Sequence, residues 1–339
     1  MTENLWLWVA FNLLVAGMLA LDLGVFHRRS HVVSMREAMT WTAVWIGLAL
    51  AFDLGIYLTL GPTPALEFLT GYLIEKSLSL DNIFVFVLIF GFFQVPAQYQ
   101  HRVLFWGVLG ALAMRAGLIA AGAALLARFH WVIYVFGFFL VVTGVRMALQ
   151  RHGSGDLSDN RALRLVRRLM PVTDAYHGQS FTVMEKGRRL ATPLLLALVL
   201  LELSDLVFAV DSIPAIFAVT RDPFLVYTSN VFAILGLRSL YFLLAGVVGK
   251  FRYLKLGLSV VLSFVGVKML LAEIRPVPIA LSLAVILGVL ALSIILSLMV
   301  PGKRPAAAGV HPAKEAGARP SREARMRTEG LPAETGSGQ

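Results

Sequence analysis

Apolar residues in this chain come in long blocks separated by short clusters of charge, and neither helical amphipathic spacing nor strand alternation dominates. A helix needs roughly 20 mostly apolar residues to cross the hydrocarbon layer of a bilayer. Nine blocks of about that length can be drawn, at approximately 5–26, 39–60, 71–92, 103–127, 131–149, 192–219, 226–248, 254–272 and 277–300. The pattern predicts an all-α integral membrane protein with about nine transmembrane helices in a polytopic domain over 1–301. The stretch 302–339 breaks the pattern, with no aromatic residue and much Pro, Ala, Gly, Arg and Glu. Such a segment buries too little apolar surface to order itself, so a disordered cytoplasmic tail is expected.

Composition agrees: 58% of residues are hydrophobic and 15% charged, more apolar surface than a soluble core of 339 residues could bury. The net charge of +10 raises nucleic acid as a partner. The basic residues argue against it, because they fall in the gaps between blocks instead of along one face. His27-Arg28-Arg29, the 150–190 segment, Lys250, Arg252 and Lys255, and the stretch after Lys303 fall on alternate connections. The intervening connections, around Gly61-Pro62, His130, Arg221-Asp222 and Glu273, carry little net positive charge. Positive-inside topology then places the basic ends and the C-terminus in the cytoplasm and the N-terminus outside. The first block follows Met1-Thr2-Glu3-Asn4, with no basic leader and no cleavage site, and reads as a retained span. The absence of cysteine excludes disulfides, thiolate metal sites, iron–sulfur clusters and thiol redox chemistry, leaving oxygen or imidazole as metal ligands.

The blocks also repeat. Glu75 precedes Asp81-Asn82-Ile83 by the same spacing with which Asp205 precedes Asp211-Ser212-Ile213. Leu109-Gly110 precede Arg115 as Leu235-Gly236 precede Arg238, and Gly144-Val145-Arg146-Met147 matches Gly266-Val267-Lys268-Met269. Each unit holds three spans, an odd number, so the second enters the membrane from the other side. The expectation is an inverted repeat of spans 3–5 and 6–8, the arrangement of secondary transporters with a site at the repeat interface.

A carboxylate at the bilayer centre costs about 2.5–3.5 kcal/mol on insertion scales. The chain nevertheless carries Asp22, Asp53, Glu75, Asp81, Glu202, Asp205 and Asp211 in or near its spans. On a helix Glu75, Ser79 and Asn82 share one face, with Ser77 and Asp81 on an adjoining one. Glu202 and Asp205 stand one turn apart, and Asp211-Ser212 precede Pro214, whose ring frees a carbonyl. Carboxylate, amide, hydroxyl and carbonyl oxygens suit hard divalent cations, which makes Glu75, Asp81, Asn82, Glu202, Asp205, Asp211 and Ser212 the candidate metal ligands, Asp81 and Asp211 at their core. The plainer alternative is that the acids only pair with Lys76, Arg115 and Arg238 to hold spans together. Arg115 and Arg238 read as structural or gating counter-charges to Asp81 and Asp211. Asp22 lies near a span end, where it is equally a snorkelling side chain or a pathway residue. Asp174 and His177 read as a structural loop pair, and Trp41, Trp45, Phe129 and Trp131 as interface anchors.

The run from Gly71 to Phe86, the run from Gln100 to Gly107 and the run from Asp205 to Phe217 closely resemble the TerC/Alx family of membrane proteins, with the likeness extending over about 20–300. The resemblance implies manganese export and metal homeostasis, a link to tellurium resistance, and placement in the LysE superfamily. It also implies that Glu75, Asp81, Asn82, Glu202, Asp205 and Asp211 are that family's intramembrane polar motifs. Asp53, and the Ser204 of Glu202-Leu203-Ser204, depart from the family pattern.

The expected function is therefore a divalent cation exporter of a bacterial inner membrane, Mn²⁺ foremost, working by alternating access and open to proton coupling. Its partners would be the ion and the bilayer, with no permanently bound cofactor, and a homo-oligomer is compatible with such a chain. No P-loop, HExxH or GxSxG sequence occurs, so ATP drive and enzymatic activity are not expected. The contrasting class is a membrane scaffold acting through its tail and its 150–190 loop.

Overall fold

A computed structural model describes residues 5–26, 33–149, 171–245 except 174 and 186, and 253–299 except 273, 275 and 276, with the side chains of 21–26 not included. The tail 302–339, the loop to 170 and the Asp22 side chain lie outside the described residues. Ten helices follow in order: α1 Leu5–Phe26, α2 Met35–Leu60, α3 Pro62–Phe93, α4 Ala97–Arg128, α5 Val132–Leu149, α6 Pro193–Phe217, α7 Pro223–Leu235, α8 Leu237–Leu244, α9 Leu254–Leu270 and α10 Ile279–Met299.

Local chemistry sets the boundaries. Ser34 and Glu37 form a capping box at the head of α2. Gly61, at φ +92°, turns the chain straight into α3, which opens on Pro62 where a missing N–H costs nothing. At 32 residues, α3 and α4 each extend about 48 Å, well beyond the roughly 30 Å hydrocarbon layer. α6 continues through Pro214 to Phe217 without breaking.

Among the described residues six helices are long and apolar enough to cross a membrane, and α7 with α8 makes a seventh. The count of nine rests on α1, whose described side chains stop at Ala20, and on α9, whose 17 residues reach only about 25 Å. The single span expected over 226–248 is instead a broken one: α7 and α8 meet at Gly236 with a 40° bend. The loop expected at 150–190 also differs, since its described part contains a hairpin, β1 Thr182–Glu185 and β2 Arg188–Ala191, turning at Gly187 with φ +75°. The hairpin is tied down by Thr192, which donates to the Ser180 carbonyl, and by Tyr176, whose hydroxyl donates to the Phe93 carbonyl at the end of α3.

Large apolar side chains are bare on the outer helix faces, as at Phe138 and Val207, each 65% exposed. Water would penalise that surface and lipid does not, so these faces are the ones a bilayer covers. Inside, α3 and α6 run antiparallel. Phe86 and Phe90 from the end of α3 cluster with Leu194 and Ala197 from the start of α6, while Gly71 near the start of α3 packs on Ile216 near the end of α6.

The tightest pairing joins α5 to α9. A Cβ on Gly144 would lie 2.8 Å from the Ser259 carbonyl, and one on Gly266 would lie 2.7 Å from the Gly137 carbonyl. Small residues let transmembrane backbones approach this closely. Matching Gly144-Val145-Arg146-Met147 to Gly266-Val267-Lys268-Met269 carries one of these contacts onto the other.

Candidate functional site

At the centre of the bundle, where α3, α4 and α6 meet, a single guanidinium holds two carboxylates from different helices. Arg115, 1% exposed, reaches Asp205 through two parallel hydrogen bonds, Nε to Oδ2 at 3.0 Å and Nη2 to Oδ1 at 2.7 Å. Its Nη1 donates to Glu75 Oε1 and, at 3.4 Å, to Ser212 Oγ. Asn82 completes the ring by donating from Nδ2 to Asp205 Oδ1 at 3.2 Å. Glu75, Ser79 and Asn82 are all fully buried, so the face of α3 read from their spacing is the one turned inward. Ser79 donates back to the Glu75 carbonyl at 2.8 Å and spends its hydroxyl within its own helix.

The ring is not saturated. Glu75 Oε2, Asn82 Oδ1 and Glu202 Oε2 are buried with no hydrogen-bond partner. Glu202 stands one turn before Asp205, within electrostatic reach of it, and presses against Gly110 of α4 where any Cβ would overlap its carboxylate. A buried acceptor without a donor costs about 1–3 kcal/mol, so each of the three is a position for a proton, a water or an ion. Among the described residues no three carboxylates or imidazoles stand close enough to enclose a metal ion. Arg115 occupies the middle of the oxygen set in this arrangement.

Two expectations change. The first concerns Arg115, whose carboxylate partners are Glu75 and Asp205, the leading acid of each repeat motif, where Asp81 and Asp211 were expected. The second concerns Asp81 and Asp211, which do not form a joint core. Each adjoins a ring member on its own helix, Asp81 next to Asn82 and Asp211 next to Ser212, and because α3 and α6 are antiparallel they mark opposite ends of the set. Both are half-buried, and Asp211 hydrogen-bonds Thr143 of α5.

Arg238 is buried at the head of α8, at 6% exposure. Trp45 is not an interface anchor. It is 5% exposed, packed on Gly236 at the α7–α8 break, whereas Trp131, 61% exposed, does occupy a helix rim. Asp53 keeps one buried oxygen without a partner on α2. His177 lies 3.2 Å from Glu185 of the hairpin, and Asp174 is outside the described residues.

Glu67, which accepts from the Thr220 hydroxyl at 2.6 Å, is a buried-side acid that spacing did not single out. It precedes the apolar block drawn from residue 71, so its helical position was hidden.

The Integral membrane protein TerC family matches residues 60–304. An uncharacterized membrane protein of Myxococcus xanthus, STKORF319, is 59% identical over 293 residues, covering 86% of this chain and 92% of its own. Alx of Escherichia coli K12, provisionally described as a membrane-bound redox modulator, is 48% identical over 303 residues, covering 87% and 94%. An uncharacterized membrane protein of Rickettsia bellii is 40% identical over 292 residues, covering 86% and 97%. No solved structure matches.

Proposed function

The chain belongs to the TerC family of integral membrane proteins, and from that premise we propose that its core carries a divalent metal cation, Mn²⁺ foremost, out of the cytoplasm across a bacterial inner membrane. The observation that carries this reading is the unsaturated oxygen ring. Glu75 and Asp205 share the Arg115 guanidinium, and Glu202, one turn before Asp205, adds a third carboxylate beside the pair. Glu75 Oε2, Asn82 Oδ1 and Glu202 Oε2 are acceptors without donors, and hard oxygens are what Mn²⁺, Mg²⁺ and Ca²⁺ bind.

Arg115 plays the stand-in for the ion. Entry of a dication requires the guanidinium to release at least one carboxylate, and departure of the dication draws it back, so the protein is never left with bare buried acids. Glu75, Asn82, Glu202, Asp205 and the Ser212 hydroxyl are the ligands in this scheme. Asp81 and Asp211, on either side, are the acids that pass the ion in and out. The reciprocal glycine contacts of α5 and α9 support an inverted repeat, in which either approach can open while the other is shut. Protonation of a ring carboxylate would release the metal, making proton antiport the natural coupling. The redox role in the Alx name has no thiol route here, since the chain lacks cysteine.

The test is Mn²⁺ uptake into inside-out vesicles containing wild-type protein, Asp205→Asn or Glu75→Gln, with equal folded protein verified for each. Uptake by wild type that falls at least about tenfold in both variants is expected, the size of one lost charged ligand. Equal uptake in all three, at the level of empty vesicles, removes the reading.

A further inference from the structure

The α7–α8 break, close to the buried Arg238, holds a further cation. Lys76, next along α3 from Glu75, donates from Nζ to the Ala233 carbonyl at 3.2 Å. That carbonyl lies in the last turn of α7, where a helix runs out of N–H donors and its dipole presents negative charge. Gly236 makes room: its backbone, at φ −82° and ψ 0°, is open to any residue, but a Cβ there would stand 2.8 Å from Lys76 Nζ and 3.1 Å from the Trp45 Cβ. A side chain at this position is crowded by the ammonium and by Trp45, and not excluded by the turn. Tyr72, one turn earlier on α3, and Asp53, two turns beyond Trp45 on the same face of α2, each keep a buried oxygen without a hydrogen-bond partner. Both helices that wall the break thus carry a buried polar oxygen without a partner.

We infer that the break between α7 and α8 is a site for a primary ammonium or other small monovalent cation, and that the chain fills it with its own tethered ion, Lys76. The end of a half-helix inside a membrane is where transporters bind coupling cations. Here Trp45 and a covalently attached ammonium both border Gly236. Because Lys76 and Glu75 share one turn of α3, the ammonium that fixes the break also fixes the carboxylate that Arg115 holds. Lys76 is a positioning residue in that sense, and the cation site itself stands independently of the metal reading.

The test is thermal unfolding of the full chain in lipid nanodiscs, with no transport measurement. Lys76→Ala removes the atoms of a propylammonium ion, so propylammonium is the probe and 1-propanol its uncharged control. The variant should melt below wild type, millimolar propylammonium should restore about half or more of the lost Tm, and wild type should not respond, as expected of a ligand binding only the folded vacancy. 1-Propanol should do nothing. Gly236→Ala, which displaces the ammonium while leaving Lys76 in place, should lower Tm by a similar amount, and the double variant should lose no more than the larger single loss. The site is disproved if Lys76→Met melts with wild type, if propylammonium shifts wild type and Lys76→Ala alike or neither, or if the two losses simply add. None of those results touches the metal reading, which rests on uptake.

Discussion

Arg115 on α4 holds both oxygens of Asp205 on α6 through two parallel hydrogen bonds while its remaining nitrogen reaches Glu75 on α3. Three helices are thereby fastened at one planar group. The same group fills the space between the two carboxylates, which makes the arrangement a lock.

Arg115→Met should leave two carboxylates buried without their cation and destabilise the fold by about 3–5 kcal/mol, whereas Arg115→Met combined with Asp205→Leu and Glu75→Gln should recover much of that loss. Denaturant or thermal unfolding in detergent micelles measures both. A triple variant no more stable than Arg115→Met would mean that the side chains act separately.

Asp81→Asn and Asp211→Asn should affect opposite approaches to the ring, since antiparallel α3 and α6 place these acids on either side of it. Concentration dependence of Mn²⁺ flux, taken in inside-out and in right-side-out vesicles, reads the difference. Each variant should raise the half-saturating concentration from one side only, by about tenfold for one lost charged contact. A symmetrical effect of either variant would remove their assignment to separate mouths.

Gly266→Ala should cost about 1–3 kcal/mol, because the added carbon would meet the Gly137 carbonyl at 2.7 Å and backbone cannot rotate away. Gly47→Ala is the matched control. Nothing lies within 4 Å of its Cβ position, and the helix gains up to about 1 kcal/mol of propensity. Tm values for the two variants should move in opposite directions.

Tyr176 fastens the hairpin segment to the end of α3, and burial pushes its phenol above the ordinary pKa of 10.0. The neutral form is the one favoured in the folded state, so its contribution is complete below pH 10 and fades as pH rises through the raised value. Hydrogen exchange of residues 176–191 should therefore accelerate above pH 10 in wild type. Tyr176→Phe should already exchange faster at neutral pH, by a factor corresponding to about 0.5–1.5 kcal/mol, and lack the alkaline step.

Much of the site could be read from residue spacing alone. Glu75 and Asn82, seven apart, had to share a face, and the cost of membrane carboxylates required a buried partner such as Arg115. The level of each acid was harder to see. Asp81 and Asp211 follow Glu75 and Asp205 at equal spacing, which suggests a pair until the inverted direction of α6 is taken into account; then equal spacing carries them apart. The break at Gly236 was hidden because glycine is ordinary in transmembrane helices and the run around it is apolar enough on average to be drawn as one span. What packs against the break comes from elsewhere in the chain, the Lys76 ammonium and Trp45. The hairpin was missed for a similar reason, since a four-residue strand such as Thr182–Glu185 has too little alternation to stand out in a polar loop.

The glycine seam between α5 and α9 brings backbone against backbone with almost no side chain between. Side-chain rotamers cannot loosen such a contact, and prising it open would expose two ribbons of peptide to lipid. For the transport proposed above, this seam is the contact that stays closed while the approaches to the ring around Arg115 open and shut.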